Sequence, residues 1–159
     1  MSDMLDELYR DVIMDHYRNP RGKKKLAEAD IHNEGKNPSC GDELEMDLKI
    51  KDGIIEDVHV GCVGCAISVS SGSMLAEIIK GKSIDEVRRI ADVVKKLVKG
   101  ESVPEDAGIE LGDLEALEGI KKFPVRVKCA LLSWTTLIDS IETIAKETNG
   151  KEITYSTTE

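Results

Sequence analysis

The chain has 159 residues, a formal net charge of −9, and only one Trp, one Phe and three Tyr. This length suits one domain, which can bury an aliphatic core without disulfide staples. The acidic balance argues against nonspecific binding to nucleic acid, because such binding needs a basic surface.

The amino-terminal stretch MSDMLDELYRDVIMDHY predicts an amphipathic helix over residues 3–17, since its apolar residues lie near helical spacing. Acidic residues interrupt this stretch, which argues against a signal peptide and against a membrane span. We therefore expect a cytoplasmic protein with no membrane partner. In that reducing compartment its cysteines should be thiols or metal ligands rather than disulfides. Pro20 and Gly22 in "NPRG" end the helix.

The middle of the chain predicts antiparallel strands. Residues 23–42 are polar and irregular, and then "ELEMDLKI" at 43–50 alternates strictly between polar and apolar residues. Asp52-Gly53 is a strong hairpin signal, and a second strand is expected over 54–62. The stretch 63–70 is interpreted as either a third strand or the entry to a helix.

The rest of the chain is mainly helical. Apolar residues at helical spacing predict helices after Ser70 and over 84–99, the second with a capping box from Ser83 to Glu86. A last long helix is expected to begin near Pro124.

Two segments depart from this regular pattern. Residues 101–120 form an acidic, insert-like segment with one short helix at 111–118, and the tail 149–159 is expected to be frayed. The order of helix, strands and helices predicts an α+β fold in one domain, 1–159. We expect a small antiparallel sheet of about three strands with helices packed on one face.

Cysteine supplies the candidate chemistry. Cys40 and Asp42 flank a glycine in "NPSCGDE", a turn in which a thiolate and a carboxylate can converge on zinc. Cys129 follows Arg126 and Lys128 near the start of the last helix. These cations and the helix amino terminus should favour the thiolate form of Cys129.

The C-x-x-C pair Cys62 and Cys65 leaves the ligand set open. Cys62 shares the strand parity of Val58 and Val60, so it is expected to face the core, whereas Cys65 follows Gly64 at the strand end. A thioredoxin-like dithiol is disfavoured, because this pair does not open a helix in a βαβ unit. Spacing alone permits two metal sites, one of all four cysteines and one of three cysteines with an aspartate: Cys40, Asp42, Cys65 and Cys129.

The motifs "DHYRNPRG", "NPSCGDE", "GCAIS" and "FPVRVKC" occur in an order that resembles the IscU/NifU-N-terminal family of iron–sulfur cluster assembly proteins. The resemblance is closest to the SufU branch. Lys128 stands where IscU proper has a histidine before its last cysteine, and a long segment separates Cys65 from Cys129. A shifted alignment would instead match Cys62 with the middle cysteine of the family. The resemblance implies the IscU/SufU-like α+β fold.

The resemblance also implies a ligand set and a role. Cys40, Asp42, Cys65 and Cys129 match the residues that hold zinc in SufU-like proteins and build a [2Fe–2S] cluster in IscU-like scaffolds. Arg126 matches a basic residue near the SufU site, and Lys128 lies two residues after Arg126. The implied partners are a cysteine desulfurase of the SufS or IscS type and recipient apo iron–sulfur proteins.

These observations predict a sulfur acceptor and transfer protein rather than a stand-alone enzyme. A site of three thiolates and one harder carboxylate should exchange a ligand readily, and Cys40 on its glycine turn is the expected acceptor of persulfide sulfur. One alternative is an IscU-type scaffold that assembles and transfers a [2Fe–2S] cluster. Another, from a different class, is a structural zinc domain that binds proteins through four cysteines.

Overall fold

The computed structural model describes the backbone of residues 2–102, 110–146 and 153–157 and the side chains of residues 9–102 and 110–145. Its elements, in chain order, are α1 (Ser2–Arg18), β1 (Ile31–Asn37), β2 (Asp42–Lys51), β3 (Ile54–Val63), α2 (Ala66–Ile79), α3 (Ile84–Lys99), a 3-10 helix (Gly112–Lys122), α4 (Pro124–Lys146) and β4 (Ile153–Thr157). No helix within these described ranges has the length and apolarity that a membrane span requires.

In the described part of the chain, four strands form one sheet in the order β3–β2–β1–β4. The first three strands pair antiparallel, which confirms the predicted sheet. β4 pairs parallel with β1, so residues 153–157 are a strand where the sequence predicted a frayed tail. The rest of the tail and residues 103–109 of the acidic segment lie outside the described residues.

Asp52 and Gly53 make the turn between β2 and β3, as predicted. Their φ angles are 54° and 75°, and Lys51 pairs with Ile54 across a two-residue loop. Positive φ at both central residues is the signature of a type I′ turn, whose twist matches that of the flanking strands. A bulge between Lys49 and Ile50 then shifts the pairing by one residue, and the new register continues to Val63 opposite Glu43.

β1 lies within the stretch 23–42 that the sequence indicated to be irregular, and that prediction was wrong. Its core-facing residues are Ile31, Asn33, Gly35 and Asn37, so the strand alternates in burial but not in hydrophobicity. The Asn33 side chain donates hydrogen bonds to the Thr136 carbonyl oxygen and to Ser140 Oγ on α4. These bonds supply the partners that a buried amide requires.

The stretch 63–70 is the entry to a helix, the second of the two interpretations that the sequence left open. β3 ends at Val63, and Cys65 is the N-cap of α2, which begins at Ala66. The third antiparallel strand is therefore β1 rather than this stretch. The capping box predicted at Ser83 is present, with Ser83 Oγ accepting from the Glu86 N–H at 3.2 Å.

The helices cover one face of the sheet and close an aliphatic core. Leu44, Met46 and Leu48 of β2 are buried, as the alternating pattern predicts. The large buried side chains that α2 and α4 contribute are Met74, Leu75, Ile79, Leu132, Leu137 and Ile141. Packing of these chains fixes the amino termini of α2 and α4 relative to the β1–β2 turn.

A buried histidine ties the acidic segment to the first helix. His16 on α1 is fully buried, with Nδ1 2.7 Å from Ser73 Oγ on α2 and Nε2 2.8 Å from an Asp113 oxygen in the 3-10 helix. Glu77 is the next carboxylate, 4.0 Å from the same Nε2, and it also pairs with Arg21. No local sequence feature indicates this junction, because its members are far apart along the chain.

Candidate metal centre

Three potential metal ligands meet at the end of the sheet where β1 turns into β2. The thiols of Cys40 and Cys129 and a carboxylate oxygen of Asp42 all lie within 4.8 Å of one another. The two sulfur atoms are 3.1 Å apart. Cys129 and Asp42 are buried, whereas Cys40 is half-buried.

The β1–β2 turn places Cys40 and Asp42. Asn37 ends β1 and pairs directly with Asp42, the first residue of β2. Between them, the N–H groups of Cys40 and Gly41 both donate to the Asn37 carbonyl oxygen, at 3.2 and 2.9 Å. Gly41 has φ 73°, the left-handed region that favours glycine. The turn therefore holds Cys40 at its tip and points Asp42 inward.

Cys129 reaches the same point from α4. The helix begins at Pro124, as predicted, so Cys129 lies in its second turn and is buried against the sheet. Arg126, one turn earlier, is exposed and brings Nη1 to 4.0 Å from Cys40 Sγ. Its hydrogen bond to Cys129, and then the charges of the neighbouring thiols, raise the pKa of the guanidinium.

Burial acts against the thiolate form that the sequence predicts for Cys129. Burial, followed by hydrogen bonds with Cys40 and Asp42, raises the pKa of the Cys129 thiol. Desolvation and a nearby carboxylate both disfavour a second anion. Arg126 is solvated, and among the described residues no hydrogen bond or ion pair joins Lys128 to the cysteines. A cation among the ligands would reverse this balance.

Asn37 completes the centre, and sequence reasoning missed it. Its buried amide donates to Asp42 Oδ2 at 3.3 Å and to Cys129 Sγ at 3.5 Å, so one side chain orients both donors. Its Oδ1 has no hydrogen-bond partner among the described residues. The only signal was its place in "NPSCGD", where Asn before Pro indicates a turn rather than a buried strand end.

Cys65 adjoins this group through its backbone. Its N–H donates to Asp42 Oδ1 at 2.9 Å, and its sulfur accepts from the Ser68 N–H at 3.5 Å as the N-cap of α2. The thiol is therefore beside the three converged donors but is not one of the group that lies within 4.8 Å. Cys65 remains the proposed fourth ligand.

Cys62 behaves differently from Cys65. It continues the buried side of β3 after Val58 and Val60 and packs against the core, as its parity predicts. Burial raises the pKa of its thiol to about 11; a hydrogen bond with Ser68 opposes this, and the charges of Asp42 and Cys65 add to it.

The donors present fit zinc. Zn²⁺ takes thiolate sulfur at about 2.3 Å in a tetrahedral arrangement, which places neighbouring sulfur ligands about 3.8 Å apart. The sulfur atoms of Cys40 and Cys129 are 3.1 Å apart, so a movement of about 0.7 Å would bring them to that separation. Thiolates are also the ligands of [2Fe–2S] clusters, so the donor chemistry admits both.

Known proteins resemble this chain in sequence. The NifU-like N-terminal domain model matches residues 8–130. The zinc-dependent sulfurtransferase SufU of Bacillus subtilis is 43% identical over 146 residues, 92% of this chain and 95% of that protein. The iron–sulfur cluster assembly scaffold protein IscU of Thermotoga maritima is 34% identical over 139 residues, 87% of this chain and 96% of that protein.

A solved structure agrees with these sequence relatives. The amino-terminal part of a nitrogen-fixing NifU-like protein from Brucella abortus has a TM-score of 0.79 and 26% identity, and the alignment covers 91% of this chain and 99% of that one. The family resemblance and the α+β fold class predicted from the sequence are both confirmed.

The two cysteines of the C-x-x-C pair should differ in metal binding. Cys62→Ala should keep stoichiometric zinc, since Cys62 packs against the core, whereas Cys65→Ala should lose it because Cys65 adjoins Asp42. Zinc per chain, measured by atomic emission on each purified variant, checks this. The reverse result would assign the middle ligand to Cys62.

Removing the Asn37 amide should weaken metal binding without removing a ligand. Asn37→Ala leaves Asp42 and Cys129 without a shared donor, and loss of such an orienting partner typically lowers metal affinity about 10–100-fold. Competition with a chromophoric chelator measures the zinc dissociation constant. Asn19→Ala, at an exposed position just after α1, is the matched control, and equal affinities for the two variants would contradict the role given to Asn37.

Proposed function

This chain belongs to the NifU-like N-terminal domain family, and we propose that it accepts persulfide sulfur from a cysteine desulfurase at Cys40 for iron–sulfur cluster assembly. One observation carries the proposal. Cys40 is the half-exposed member of a group whose other two donors, Asp42 and Cys129, are buried, so an incoming sulfur can reach it first. The relative that is 43% identical is itself a zinc-dependent sulfurtransferase.

Cys40, Asp42, Cys65 and Cys129 would hold the metal. Bound zinc would keep the thiols deprotonated at neutral pH. The Asn37 amide donates hydrogen bonds to Asp42 and Cys129 and so orients both side chains. The carboxylate is the hardest donor in the set, so this site should exchange a ligand more readily than one of four thiolates.

The transfer step uses the Cys40 thiolate as a nucleophile. It attacks the outer sulfur of the desulfurase persulfide, the sulfur–sulfur bond of that persulfide breaks, and the desulfurase cysteine leaves as a thiolate. The outer sulfur is then part of a persulfide on Cys40. Arg126, with Nη1 4.0 Å from Cys40 Sγ, supplies positive charge beside the attacking and product anions.

Exposed apolar residues lie close in sequence to Cys65 and Arg126 and suit a protein partner. Val63, Phe123 and Val125 are 75%, 59% and 68% exposed, although large apolar side chains are usually buried. Val63 lies two residues before Cys65, and Phe123 and Val125 lie just before Arg126. A desulfurase that covers these residues would exclude water from the transfer step, because exposed apolar patches mark protein-binding surfaces.

An IscU-type scaffold for a [2Fe–2S] cluster is the second candidate. The 34% identity to a scaffold protein and the thiolate donors favour it. A structural zinc site of four cysteines has less support, since Asp42 and not Cys62 belongs to the converged group.

Metal analysis separates the two candidates. We expect protein purified without oxygen to be colourless and to hold about one zinc per chain, as one tetrahedral site requires. A brown protein that contains iron and acid-labile sulfide would favour the scaffold instead. Inductively coupled plasma measurement with a sulfide assay on the same sample gives both numbers.

The sulfur acceptor can be tested directly. Wild-type protein should accelerate alanine formation by a SufS-type desulfurase and acquire a persulfide on Cys40, since that thiol is half-buried on the β1–β2 turn with Arg126 Nη1 4.0 Å away. Cys40→Ser should return alanine formation to the rate of the desulfurase alone, with no persulfide detected by alkylation and mass spectrometry. Cys62→Ser is the matched control and should behave as wild type. Persulfidation of the Cys40→Ser variant with full stimulation would overturn the assignment.

A further inference from the structure

The four cysteines fall into two neighbouring pairs. Cys40 and Cys129 have their sulfur atoms 3.1 Å apart, close enough for a disulfide to form with little movement. They come from different elements, the β1–β2 turn and α4, and this pairing exists only in the folded chain. It leaves Cys65 as the remaining cysteine of the proposed ligand set.

Cys62 is placed to pair with Cys65. The Ser68 hydroxyl lies 3.7 Å from Cys65 Sγ, and both Ser68 and Cys65 act electrostatically on the Cys62 thiol. Two residues, Val63 and Gly64, separate the cysteines. Gly64 runs close to the side chains of Asp42 and Ser68, so the segment brings its backbone against the metal centre rather than away from it.

We propose that an oxidant of the hydroperoxide class converts the four thiols of the metal-free protein into two disulfides, Cys40–Cys129 and Cys62–Cys65. This inference goes beyond the proposed function and depends only on where the four cysteines lie. Cys62 is then not a ligand but the partner that makes the number of thiols even.

Whether the number of neighbouring thiols is even or odd decides the outcome of oxidation. Three thiols give one disulfide and leave one cysteine alone, and a lone sulfenic acid is oxidised further to sulfinic and sulfonic acids, which thiol reductants do not reverse. When four thiols form two pairs, their oxidation ends at the disulfides. Cys65, at the amino terminus of α2, is the cysteine that Cys62 would protect.

Each pair is oxidised in two balanced steps. The first thiolate attacks one oxygen of hydrogen peroxide, the oxygen–oxygen bond breaks, and a sulfenic acid and hydroxide form. The second thiol of the pair attacks that sulfur, a disulfide forms, and water leaves. Per pair, two thiols lose two protons and two electrons while one peroxide becomes two waters, and a dithiol reductant reverses the change.

Oxidation in this form would switch off metal binding reversibly. All three proposed thiol ligands would be in disulfides, which do not supply thiolates to a metal. Reduction would return the complete ligand set, including Cys65.

Peptide mapping tests the pairing. Zinc is removed with a chelator, the full chain is treated with hydrogen peroxide, free thiols are alkylated, and trypsin is added. Cys62 and Cys65 fall in one tryptic peptide, 52–80, while Cys40 and Cys129 fall in peptides 37–49 and 129–146. We expect peptide 52–80 to be two hydrogens lighter and unalkylated, and the other two peptides to be cross-linked. After dithiothreitol, the protein should recover the zinc content it had before treatment.

Cys62→Ser supplies the matched comparison. Before oxidation it should bind zinc like wild type, which separates a folding defect from an oxidation defect. After peroxide, its Cys65 should carry two or three oxygens, and dithiothreitol should not restore zinc binding. Wild-type protein in which Cys65 reaches the same over-oxidised state, or pairs with Cys40 or Cys129, would overturn the proposal. If the variant fails to bind zinc at the outset, the wild-type peptide map alone decides.

Discussion

The structure of the centre depends on one buried carboxylate. Asp42 is 1% exposed, and its two oxygens accept hydrogen bonds from different parts of the chain, Oδ1 from the Cys65 N–H and Oδ2 from the Asn37 amide. A buried carboxylate is costly unless such donors satisfy it. Asp42 therefore joins the ends of β1 and β2 to the start of α2, and the cysteines near it are held in place by the same bonds.

The amino-terminal parts of two helices also position cysteines at the centre. α2 presents Cys65 as its N-cap, and α4 presents Cys129 in its second turn, so a cysteine near the start of each helix lies at or beside the centre. The aliphatic core of the sheet, α2 and α4 sets where these termini lie. Core packing thus positions ligands that no local sequence feature could bring together.

Local chemistry was predictable from the sequence, and long-range pairing was not. The Asp52-Gly53 turn, the capping box at Ser83 and the start of α4 at Pro124 each follow from residues within a few positions of one another. β1 escaped prediction because its buried face carries Asn33, Gly35 and Asn37, whose fit depends on partners on α4 and β2 that are distant in sequence.

The same division applies to the site. The C-x-D spacing placed Cys40 and Asp42 on one turn, and strand parity distinguished Cys62 from Cys65, but neither could reveal that Asn37 donates to both Asp42 and Cys129. The family motifs supplied the remaining link, since they name Cys129 as a partner of residues about 90 positions away, the separation over which Cys129 meets Cys40. Where the geometry of a site is set by packing, a resemblance carries information that spacing cannot.

Differences in burial give these similar thiols different roles. Cys129 is enclosed, and burial disfavours its anion until a cation is present, so it suits a permanent ligand. Cys40 is half-buried on a turn with Arg126 Nη1 4.0 Å from its sulfur, so in the proposed transfer it would leave the ligand set and meet a partner. Cys62 packs against the core, and its thiol is influenced by Ser68, Asp42 and Cys65. A sulfur-transfer site needs this asymmetry, because a set of equally exposed thiols would have no fixed ligand to keep the site formed while one sulfur is in use.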